Sequence, residues 1–398
     1  MRVHVVDPSA YTPPYDHALC RALALEGAEV ELITSHFDYG PVAAAQGYER
    51  RELFYGLAHR GSAEGPRSRR RMALKLAEHV PAMLRYRRLA READIAHFQW
   101  LTVQQLDGRL LPRRARARRV VGRGGGGGGG QDSTGRPKLV LTAHDVLPRE
   151  PRPGQLSAQQ RLYERFDAVV VHSEHGRRRL TRELGIDPAR VHTIPHGAFA
   201  HLAQAPPMPP PHQSDGPVVL CFGLMRPYKG LDVLIEAWQG IGGSPAGAPH
   251  AAQAELWIAG MPRMDISALQ AAAPANVRFD PRFIGDEELP AYFQRADLVV
   301  LPYREIDQSG VLFTALAFGK PLLLTDVGGF PEIAASGAAR TVPAGDPAAL
   351  HDALSELLAE PAALAEMADS ARAAAAGRFS WEQIARAHMR LYEQLLEK

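Results

Sequence analysis

The chain has 398 residues, of which 45% are hydrophobic, so it is long enough for two domains that each bury a core. Its two cysteines, Cys20 and Cys221, form no CxxC motif, and no run of about 18 uninterrupted apolar residues occurs, so we expect a cytoplasmic protein without a zinc site, signal peptide or membrane span. The net charge of +2 conceals a basic stretch at residues 60–123, with 17 Lys and Arg against 5 Asp and Glu.

The first half of the chain alternates apolar runs with amphipathic segments. We predict an irregular segment from the second strand to about Pro66, and the proline-rich loop after the first strand lacks GxGxxG, so we place no nucleotide in this half. The alternation predicts a parallel sheet covered on both faces. Strands are predicted at residues 1–6, 30–34, 94–99, 138–142, 167–171 and 190–194, and helices at residues 16–26, 68–91 (interrupted at Pro81), 159–165 and 174–184.

The basic stretch at residues 60–123 admits two interpretations. It is either a surface that binds an anionic membrane peripherally or a solvated arginine-rich face. Few aromatic residues are interleaved with its arginines, so we do not expect nucleic acid as a partner. The stretch runs into residues 113–135, where an arginine cluster and seven consecutive glycines predict a flexible loop.

The second half repeats the alternation more regularly. Residues 204–216 contain five prolines and predict a linker between domains at residues 1–203 and 217–376, with a last helix at residues 377–398. Asp346 and Ser380 are expected to cap helices. Strands are predicted at residues 218–222, 254–259, 277–279, 298–301, 321–325 and 338–342, with helices between them.

Arg226 and Lys229 lie in the turn between the strand at residues 218–222 and an amphipathic helix. Unpaired N–H groups at a helix start carry partial positive charge, so a turn with two cations suits a phosphate or diphosphate. The chain has only five lysines among its 46 Lys and Arg, so composition does not explain a lysine here. A surface turn with two solvated cations is the alternative.

Two further polar loops follow strands of the second half, at residues 302–310 and 325–332. Ligands of open parallel sheets bind at the carboxyl ends of the strands. Each loop alone is explained by an ordinary strand–helix connection, but together they favour a shared nucleotide site. No Asp-x-Asp and no His/Cys cluster occurs, so we expect no metal, and Arg226 and Lys229 would neutralise a departing diphosphate themselves.

Three histidines follow strands of the first half. His144 is placed at a carboxyl end facing the predicted interdomain cleft, where it can hydrogen-bond a sugar hydroxyl; a structural histidine is the alternative. His196, and Tyr15 at the end of the proline-rich loop, are predicted to line the cleft on the acceptor side. We interpret His172 as structural.

A set of motifs makes the whole chain resemble the retaining GT-B glycosyltransferases of family 4. The resemblance implies an α/β protein with two facing Rossmann-like domains and a C-terminal helix that crosses back to the first. The second domain would bind a nucleotide-sugar and the first a glycan or lipid-linked acceptor. The motifs are Phe222-Gly223, Arg226-Pro-Tyr-Lys229-Gly230, Leu301-Pro302-Tyr303, Gln308-Ser309-Gly310, Phe318-Gly319-Lys320-Pro321, Gly328-Gly329-Phe330-Pro331-Glu332 and Phe379-Ser380-Trp381-Glu382.

The resemblance also implies roles for individual residues. Arg226 and Lys229 match the diphosphate-binding pair, and His144 matches the histidine that approaches the donor sugar. Two glutamates of the family, eight residues apart, are replaced here by Ile306 and Thr314, so Asp307 is expected to take the sugar contact and Thr314 to offer one hydroxyl to the ribose. The expected donor-binding set is Gly223, Arg226, Lys229, Gln308, Ser309, Gly310, Val311 and Thr314.

The implied reaction is metal-independent glycosyl transfer with retention of anomeric configuration, as in polysaccharide biosynthesis, and no cofactor is expected. Two alternatives remain open. One is a sugar-nucleotide 2-epimerase of related fold, because fold alone does not separate the two reactions. The other is a non-catalytic nucleotide-sugar-binding protein, which the replaced glutamates would favour.

Overall fold

The computed structural model of the protein describes residues 1–38, 40–60, 69–112, 136–147, 154–242 and 250–398. These residues divide into two compact units. Unit 1 comprises Met1–Val171, Arg179–His192 and Ala385–Lys398, and unit 2 comprises His172–Arg178 and Thr193–Ile384. Residues 193–203, which the sequence pattern places in the first domain, therefore belong to unit 2. The predicted Arg- and Gly-rich loop at residues 113–135 lies outside the described residues.

Unit 1 is built on a seven-stranded sheet with the order β3-β2-β1-β4-β5-β6-β7. The pairs from β3 to β6 are parallel, as the βα alternation predicts. Strand order reverses between β1 and β4, so the carboxyl ends of these two strands flank the topological switch point. The strands are β1 (Arg2–Asp7), β2 (Glu29–Ser35), β3 (Glu49–Phe54), β4 (Ile95–Phe98), β5 (Lys138–Thr142), β6 (Ala168–Val171) and β7 (Val191–Thr193).

Helices of unit 1 connect these strands, and they pack a core that includes Val6, Ile33, Phe98 and Phe166. They are α1 (Pro13–Leu25), α2 (Gly56–Arg60), α3 (Arg69–Leu89), α4 (Gln104–Leu110) and α5 (Gln155–Tyr163). A π-helical turn at Arg179–Glu183 follows α6 (Glu174–Arg178), whose residues belong to unit 2.

Three features of unit 1 differ from the sequence prediction. The segment predicted to be irregular contains β3 and α2; β3 is an edge strand with the largely charged sequence ERRELF, so no apolar run marks it. The short helix α4 was not predicted. Helix α3 runs through Pro81 without interruption, because a proline removes a single helical hydrogen bond and the core packing of Ala82, Met83 and Tyr86 holds the helix across it.

Unit 2 contains a six-stranded parallel sheet with the order β10-β9-β8-β11-β12-β13. The strands are β8 (Val218–Phe222), β9 (Glu255–Ala259), β10 (Val277–Asp280), β11 (Leu298–Leu301), β12 (Leu322–Thr325) and β13 (Ala339–Val342). Both β8 and β11 begin and end at the predicted residues. Here the order reverses between β8 and β11, so their carboxyl-end loops flank a second switch point.

The helices of unit 2 cover its sheet and include both predicted capped helices. Asp346 accepts a hydrogen bond from the amide of Ala349 at 3.0 Å, and Ser380 Oγ accepts one from the amide of Gln383 at 3.3 Å. The helices that follow α6 are α7 (Ala200–Ala203), α8 (Leu231–Ala237), α9 (Ser267–Ala272), α10 (Leu289–Arg295), α11 (Gly310–Ala317), α12 (Phe330–Ala334), α13 (Pro347–Ala359), α14 (Pro361–Ala376) and α15 (Trp381–Leu396).

Helix α15 begins in unit 2 and ends in unit 1, because its residues from Ala385 onward group with the first sheet. Tyr392 of this helix forms a 2.6 Å hydrogen bond with His97 Nδ1 inside unit 1. On the surface of the same unit, Arg386 donates to Glu26 at 3.0 Å. The prediction that the last helix returns to the first domain is confirmed. Across the described residues, no helix is long and apolar enough to cross a bilayer.

Candidate functional site

The turn after β8 depends on two glycines with left-handed backbone. Gly223 has a φ of +108° and Gly230 a φ of +66°. A Cβ at position 230 would lie 2.1 Å from the carbonyl oxygen of Pro302, so only glycine allows this turn to approach the loop after β11. Between the two glycines, Pro227–Lys229 forms a single 3-10 turn. The turn therefore delivers Lys229 directly to the start of α8.

Lys229 is buried and points toward the loop after β11. Its Nζ donates a 2.6 Å hydrogen bond to the hydroxyl of Tyr303 and lies 4.4 Å from the centre of the same ring. The Tyr303 hydroxyl lies 3.5 Å from Ser309 Oγ. A Cβ on Gly223 would lie 3.3 Å from Lys229 Nζ and 3.1 Å from Val311 Cγ2. One cation is thus placed beside both the glycine turn and the first residues of α11.

Arg304 braces the same turn from the loop after β11. Its guanidinium donates to the two carboxylate oxygens of Asp232 at 2.7 and 2.6 Å and to the Pro227 carbonyl at 3.1 Å. The hydrogen bonds from Arg304 lower the pKa of Asp232 below its usual range. The Arg304 amide also donates to the Tyr228 carbonyl at 2.8 Å. Arg226, in the same turn, has an extended backbone and an exposed side chain, and it forms none of these contacts with Arg304.

The start of α11 supplies backbone donors next to Lys229. Ser309 is the N-terminal capping residue and is buried, and its amide donates to Gln308 Oε1 at 3.1 Å. The first amides of a helix have no partner one turn earlier and carry partial positive charge. Within the helix, Thr314 Oγ1 donates to the Gly310 carbonyl at 3.1 Å. Its hydroxyl hydrogen is therefore used inside α11, which leaves the oxygen as the group that Thr314 can offer to a ligand.

The loop after β12 packs on the backbone that carries Asp307. Gly328 has a φ of +58°, and a Cβ there would lie 1.8 Å from the Ile306 carbonyl oxygen. The amide of Gly329 donates to the Asp307 carbonyl at 3.3 Å. Both Ile306 and Asp307 are buried. These two glycines were predicted to let the backbone approach a ligand. In the structure they let the loop after β12 approach the loop after β11.

Glu332, in the same loop region, holds the segment His172–Arg178 within unit 2. Its two carboxylate oxygens accept from the amides of Glu174 at 3.1 Å and His175 at 2.9 Å. A carboxylate on the first amides of a short helix is a favourable capping arrangement. Glu332, which belongs to one of the family motifs, therefore has a structural role as a helix cap.

His196 lies in an aromatic cluster of unit 2. Its ring stacks on Phe313 at 4.5 Å and meets His172 edge-on at 5.3 Å. Burial holds the pKa of His196 well below its usual value and lowers the pKa of His172 to about 4, and His172 Nδ1 donates to the Ile194 carbonyl at 3.1 Å. Both rings are therefore neutral near pH 7. The contacts fit the structural role predicted for His172 and give His196 a packing role of the same kind.

The carboxyl edge of unit 1 brings His144 and Tyr15 together. The His144 ring is edge-on to Tyr15 at 4.8 Å and stacks on Trp100 at 4.9 Å with an angle of 14° between the planes. His144 Nε2 donates to Gln99 Oε1 at 3.2 Å. Tyr15 is buried and His144 is half-buried. His144 is thus held in an aromatic group that spans the ends of β1, β4 and β5.

All eight predicted donor-binding residues lie in unit 2. Of the other predicted site residues, Asp307 and His196 also lie in unit 2, whereas His144 and Tyr15 lie in unit 1. Lys229, Gly223, Ser309 and Val311 meet in unit 2, with Arg226 on the exposed side of the same turn. The sequence prediction gave no positioning role to the side chains that hold them, although Tyr303 stands in the motif Leu301-Pro302-Tyr303 at the end of a buried strand, which is the signal that could have identified it. In the part of the chain that the structure describes, no three His, Cys, Asp or Glu side chains group as metal ligands do.

Two family descriptions match this chain and together cover both halves. "Glycosyltransferase Family 4" matches residues 15–198, and "Glycosyl transferases group 1" matches residues 216–360. The second match contains the Lys229 turn and the loops after β11 and β12. The chain belongs to the family 4, group 1 glycosyltransferases. The predicted family is confirmed.

Curated relatives of this chain include two whose names refer to inositol-containing compounds. A phosphatidyl-myo-inositol mannosyltransferase of Mycobacterium leprae is 31% identical over 237 residues, which is 58% of this chain and 60% of the relative. A D-inositol 3-phosphate glycosyltransferase of Xylanimonas cellulosilytica is 26% identical over 270 residues, 62% of each chain. The alignments span less than two thirds of the length of either relative.

Solved structures resemble this chain over nearly its whole length. Sucrose-phosphate synthase from Thermosynechococcus elongatus matches with a TM-score of 0.71 and 21% identity, covering 100% of this chain and 99% of the other. The HepE protein of Anabaena in complex with UDP matches with a TM-score of 0.68 and 17% identity, covering 99% and 100%. At these identities the likeness concerns the fold, and the predicted GT-B class is confirmed.

Proposed function

We propose that the protein transfers a glycosyl group from a nucleotide-sugar, with unit 2 binding the donor and unit 1 the acceptor. One observation carries the proposal: Lys229 is buried, is held by the Tyr303 hydroxyl, and lies beside a glycine turn and the start of α11. A diphosphate is the ligand that a fixed cation, close backbone approach and helix amides suit together. Arg226 adds a second cation from the exposed side of the same turn.

In the proposed reaction the bond between sugar C1 and the diphosphate oxygen breaks, and a bond forms between C1 and an acceptor hydroxyl oxygen. The acceptor proton passes to the departing phosphate oxygen, so the products are a glycoside and a nucleoside diphosphate. Lys229 and Arg226 stabilise the charge that develops on the leaving group. We propose that transfer retains the anomeric configuration and uses no metal, because the two cations neutralise the diphosphate.

The names of the comparison proteins support this substrate class. HepE has been crystallised with UDP-glucose, and relatives of this chain are named as mannosyltransferases acting on glycolipid or lipopolysaccharide core. We therefore propose a nucleoside-diphosphate hexose as donor and a glycan or lipid-linked saccharide as acceptor, in a cytoplasmic polysaccharide or glycolipid pathway.

A thermal-unfolding panel tests the donor proposal. UDP, GDP, ADP, CDP and dTDP sugars are added to wild type, to Lys229→Met, which keeps the buried stem but removes the charge, and to Arg340→Ala as a control for loss of an exposed arginine. A ligand at one hundred times its dissociation constant stabilises the folded state by about 2.7 kcal/mol. We expect a shift with one nucleotide class in wild type and control, and none in Lys229→Met. No shift in wild type with any sugar nucleotide would contradict the proposal.

Product analysis separates transfer from the two alternatives. Formation of a glycoside only when an acceptor is supplied supports glycosyl transfer. Release of a C2 epimer without acceptor would identify an epimerase, and donor binding without turnover across the acceptor panel would identify a binding protein.

We also propose that helix α3 contacts an anionic membrane. Its described side chains include exposed Met72, Leu76 and Leu84 near the exposed arginines Arg85 and Arg88, a combination typical of helices that lie on lipid. Wild type should co-sediment with phosphatidylglycerol vesicles at low salt and less with neutral phosphatidylcholine vesicles. Replacement of Leu76 and Leu84 by Ser should weaken this binding, and equal recovery with both vesicle types would contradict the proposal.

A further inference from the structure

The loop that joins β1 to α1 is closed by its own carboxylate. Asp7, the last residue of β1, is fully buried. Its Oδ2 accepts from the amides of Tyr11 at 2.6 Å and Thr12 at 3.3 Å, and its Oδ1 accepts from the amide of Ser9 at 3.2 Å. Three backbone donors at the carboxyl edge of the sheet, where an anionic ligand would be expected to bind, are therefore occupied by an internal anion.

A second carboxyl group lies against the first. Asp16, in the first turn of α1, is buried and hydrogen-bonded to Asp7, and burial together with the Asp7 charge raises the pKa of Asp16 well above its usual value. Burial raises the pKa of Asp7 as well, so the pair favours a shared proton over two full charges. An acceptor phosphate in this loop would meet two carboxyl groups, and the backbone amides that could offset its own charge already donate to Asp7.

The same loop and the loop after β4 each carry an aromatic residue. Tyr11 is 58% exposed, and its ring centre lies 5.2 Å from that of Trp100. Trp100 is fixed from behind by stacking on His144 and by an Nε1 hydrogen bond to Thr12 Oγ1 at 3.1 Å. The two loops are also joined by the Ser9 and Thr102 hydroxyls, 2.8 Å apart. An exposed ring on a rigid support, next to hydroxyl groups, lies at the switch point of the sheet.

We infer that this edge of unit 1 is an acceptor subsite for an uncharged pyranose ring that packs on Tyr11 and Trp100, and that it excludes sugars phosphorylated at the bound ring. Pyranose C–H groups carry partial positive charge and pack on the electron-rich face of an aromatic ring. The inference rests on the proposed function, because it assigns the acceptor to unit 1. It adds the chemical class of the acceptor and the residues that select it.

Saturation-transfer NMR with the full chain tests the subsite directly. The probes are methyl glucoside, methyl mannoside and methyl galactoside, each compared with the corresponding hexose 6-phosphate. We expect at least one neutral glycoside to bind and its phosphate to bind more weakly. Tyr11→Ala removes the ring on which the sugar packs, so it should weaken glycoside binding about tenfold. Tyr11→Phe keeps the ring and should bind as wild type does.

Two further variants sharpen the result. Phe283→Ala removes an exposed aromatic ring from unit 2 and should leave glycoside binding unchanged. Asp7→Asn removes the ionisable group but keeps one oxygen for the loop amides. It should reduce the ratio by which the protein prefers glycosides over hexose 6-phosphates, and circular dichroism checks that the variant is folded.

Three outcomes would overturn the inference: hexose 6-phosphates binding wild type more tightly than the glycosides, no glycoside binding at all, or unchanged glycoside binding in Tyr11→Ala. The donor experiment is independent, because it reports on unit 2. A donor shift that depends on Lys229, combined with any of these three outcomes, would reject the acceptor subsite while keeping the proposed function.

Discussion

Removal of the Tyr303 hydroxyl should change how Lys229 is positioned without removing its charge. In Tyr303→Phe the ring remains, so the contact between Lys229 and the ring at 4.4 Å is kept, while the 2.6 Å hydrogen bond is lost. A hydrogen bond to a charged group contributes about 1.5–3 kcal/mol. Since the cation–ring contact persists, we expect a loss of about 1.5 kcal/mol in unfolding free energy and roughly tenfold weaker donor binding.

Isothermal titration with the nucleotide-sugar identified by the thermal panel, together with urea unfolding, measures both effects. Tyr292→Phe is the matched control, since Tyr292 of α10 is equally buried and its hydroxyl donates to Asp280, the last residue of β10, at 2.9 Å. We expect the control to lose similar stability and to keep its donor affinity. If both variants change the affinity equally, or if Tyr303→Phe stays within twofold of wild type, the positioning role of Tyr303 is refuted.

Three more predictions concern unit 2. Gly230→Ala combines a left-handed φ of +66° with a Cβ 2.1 Å from a carbonyl oxygen, whereas Gly240→Ala has a φ of +79° and nothing within 4 Å of its Cβ. Urea unfolding should show that Gly240→Ala lowers the free energy of unfolding by about 1–2 kcal/mol and that Gly230→Ala lowers it clearly more. Burial lowers the pKa of His172 to about 4, so between pH 6.5 and pH 4 the unfolded chain binds a proton at this residue and the native state does not. The free energy of unfolding should therefore fall by up to about 3 kcal/mol from pH 6.5 to pH 4. An equally steep pH dependence in His172→Gln would contradict this. Arg304→Met removes a partly exposed ion pair, so unfolding free energy should change by less than about 1 kcal/mol, while titration calorimetry should show several-fold weaker donor binding as the turn loosens.

The sequence predicted the second sheet well because its four inner strands are buried on both faces. Strands such as β8 and β11 are continuous apolar runs bounded by polar loops, and that contrast is visible in a single sequence. Strand β3 is different: it lies at an edge, its pattern is largely exposed, and its charged residues resemble a loop. Its strand conformation is set by pairing with β2, which local sequence does not encode.

The candidate site was predictable as a set of loops but not as a set of contacts. Residues after strands of a parallel sheet share one edge by topology, which is why Lys229 and Ser309 could be grouped in advance. Which side chain holds Lys229 depends on how two loops pack, and the place of Tyr303 in a motif after β11 does not by itself reveal that contact. Likewise His144 and His196 both follow strands and both stack on an aromatic ring, and they differ in burial, since His196 is buried and His144 is half-buried.

Helix α15 has a practical consequence for dividing the protein. The chain passes between the units four times, at residues 171–172, 178–179, 192–193 and 384–385. An N-terminal fragment that ends within the proline-rich segment at residues 204–216 would therefore lack residues 385–398, and His97 would lose its hydrogen bond to Tyr392. Expression of unit 1 alone would require the final fourteen residues to be supplied as a separate peptide or joined to the fragment by circular permutation.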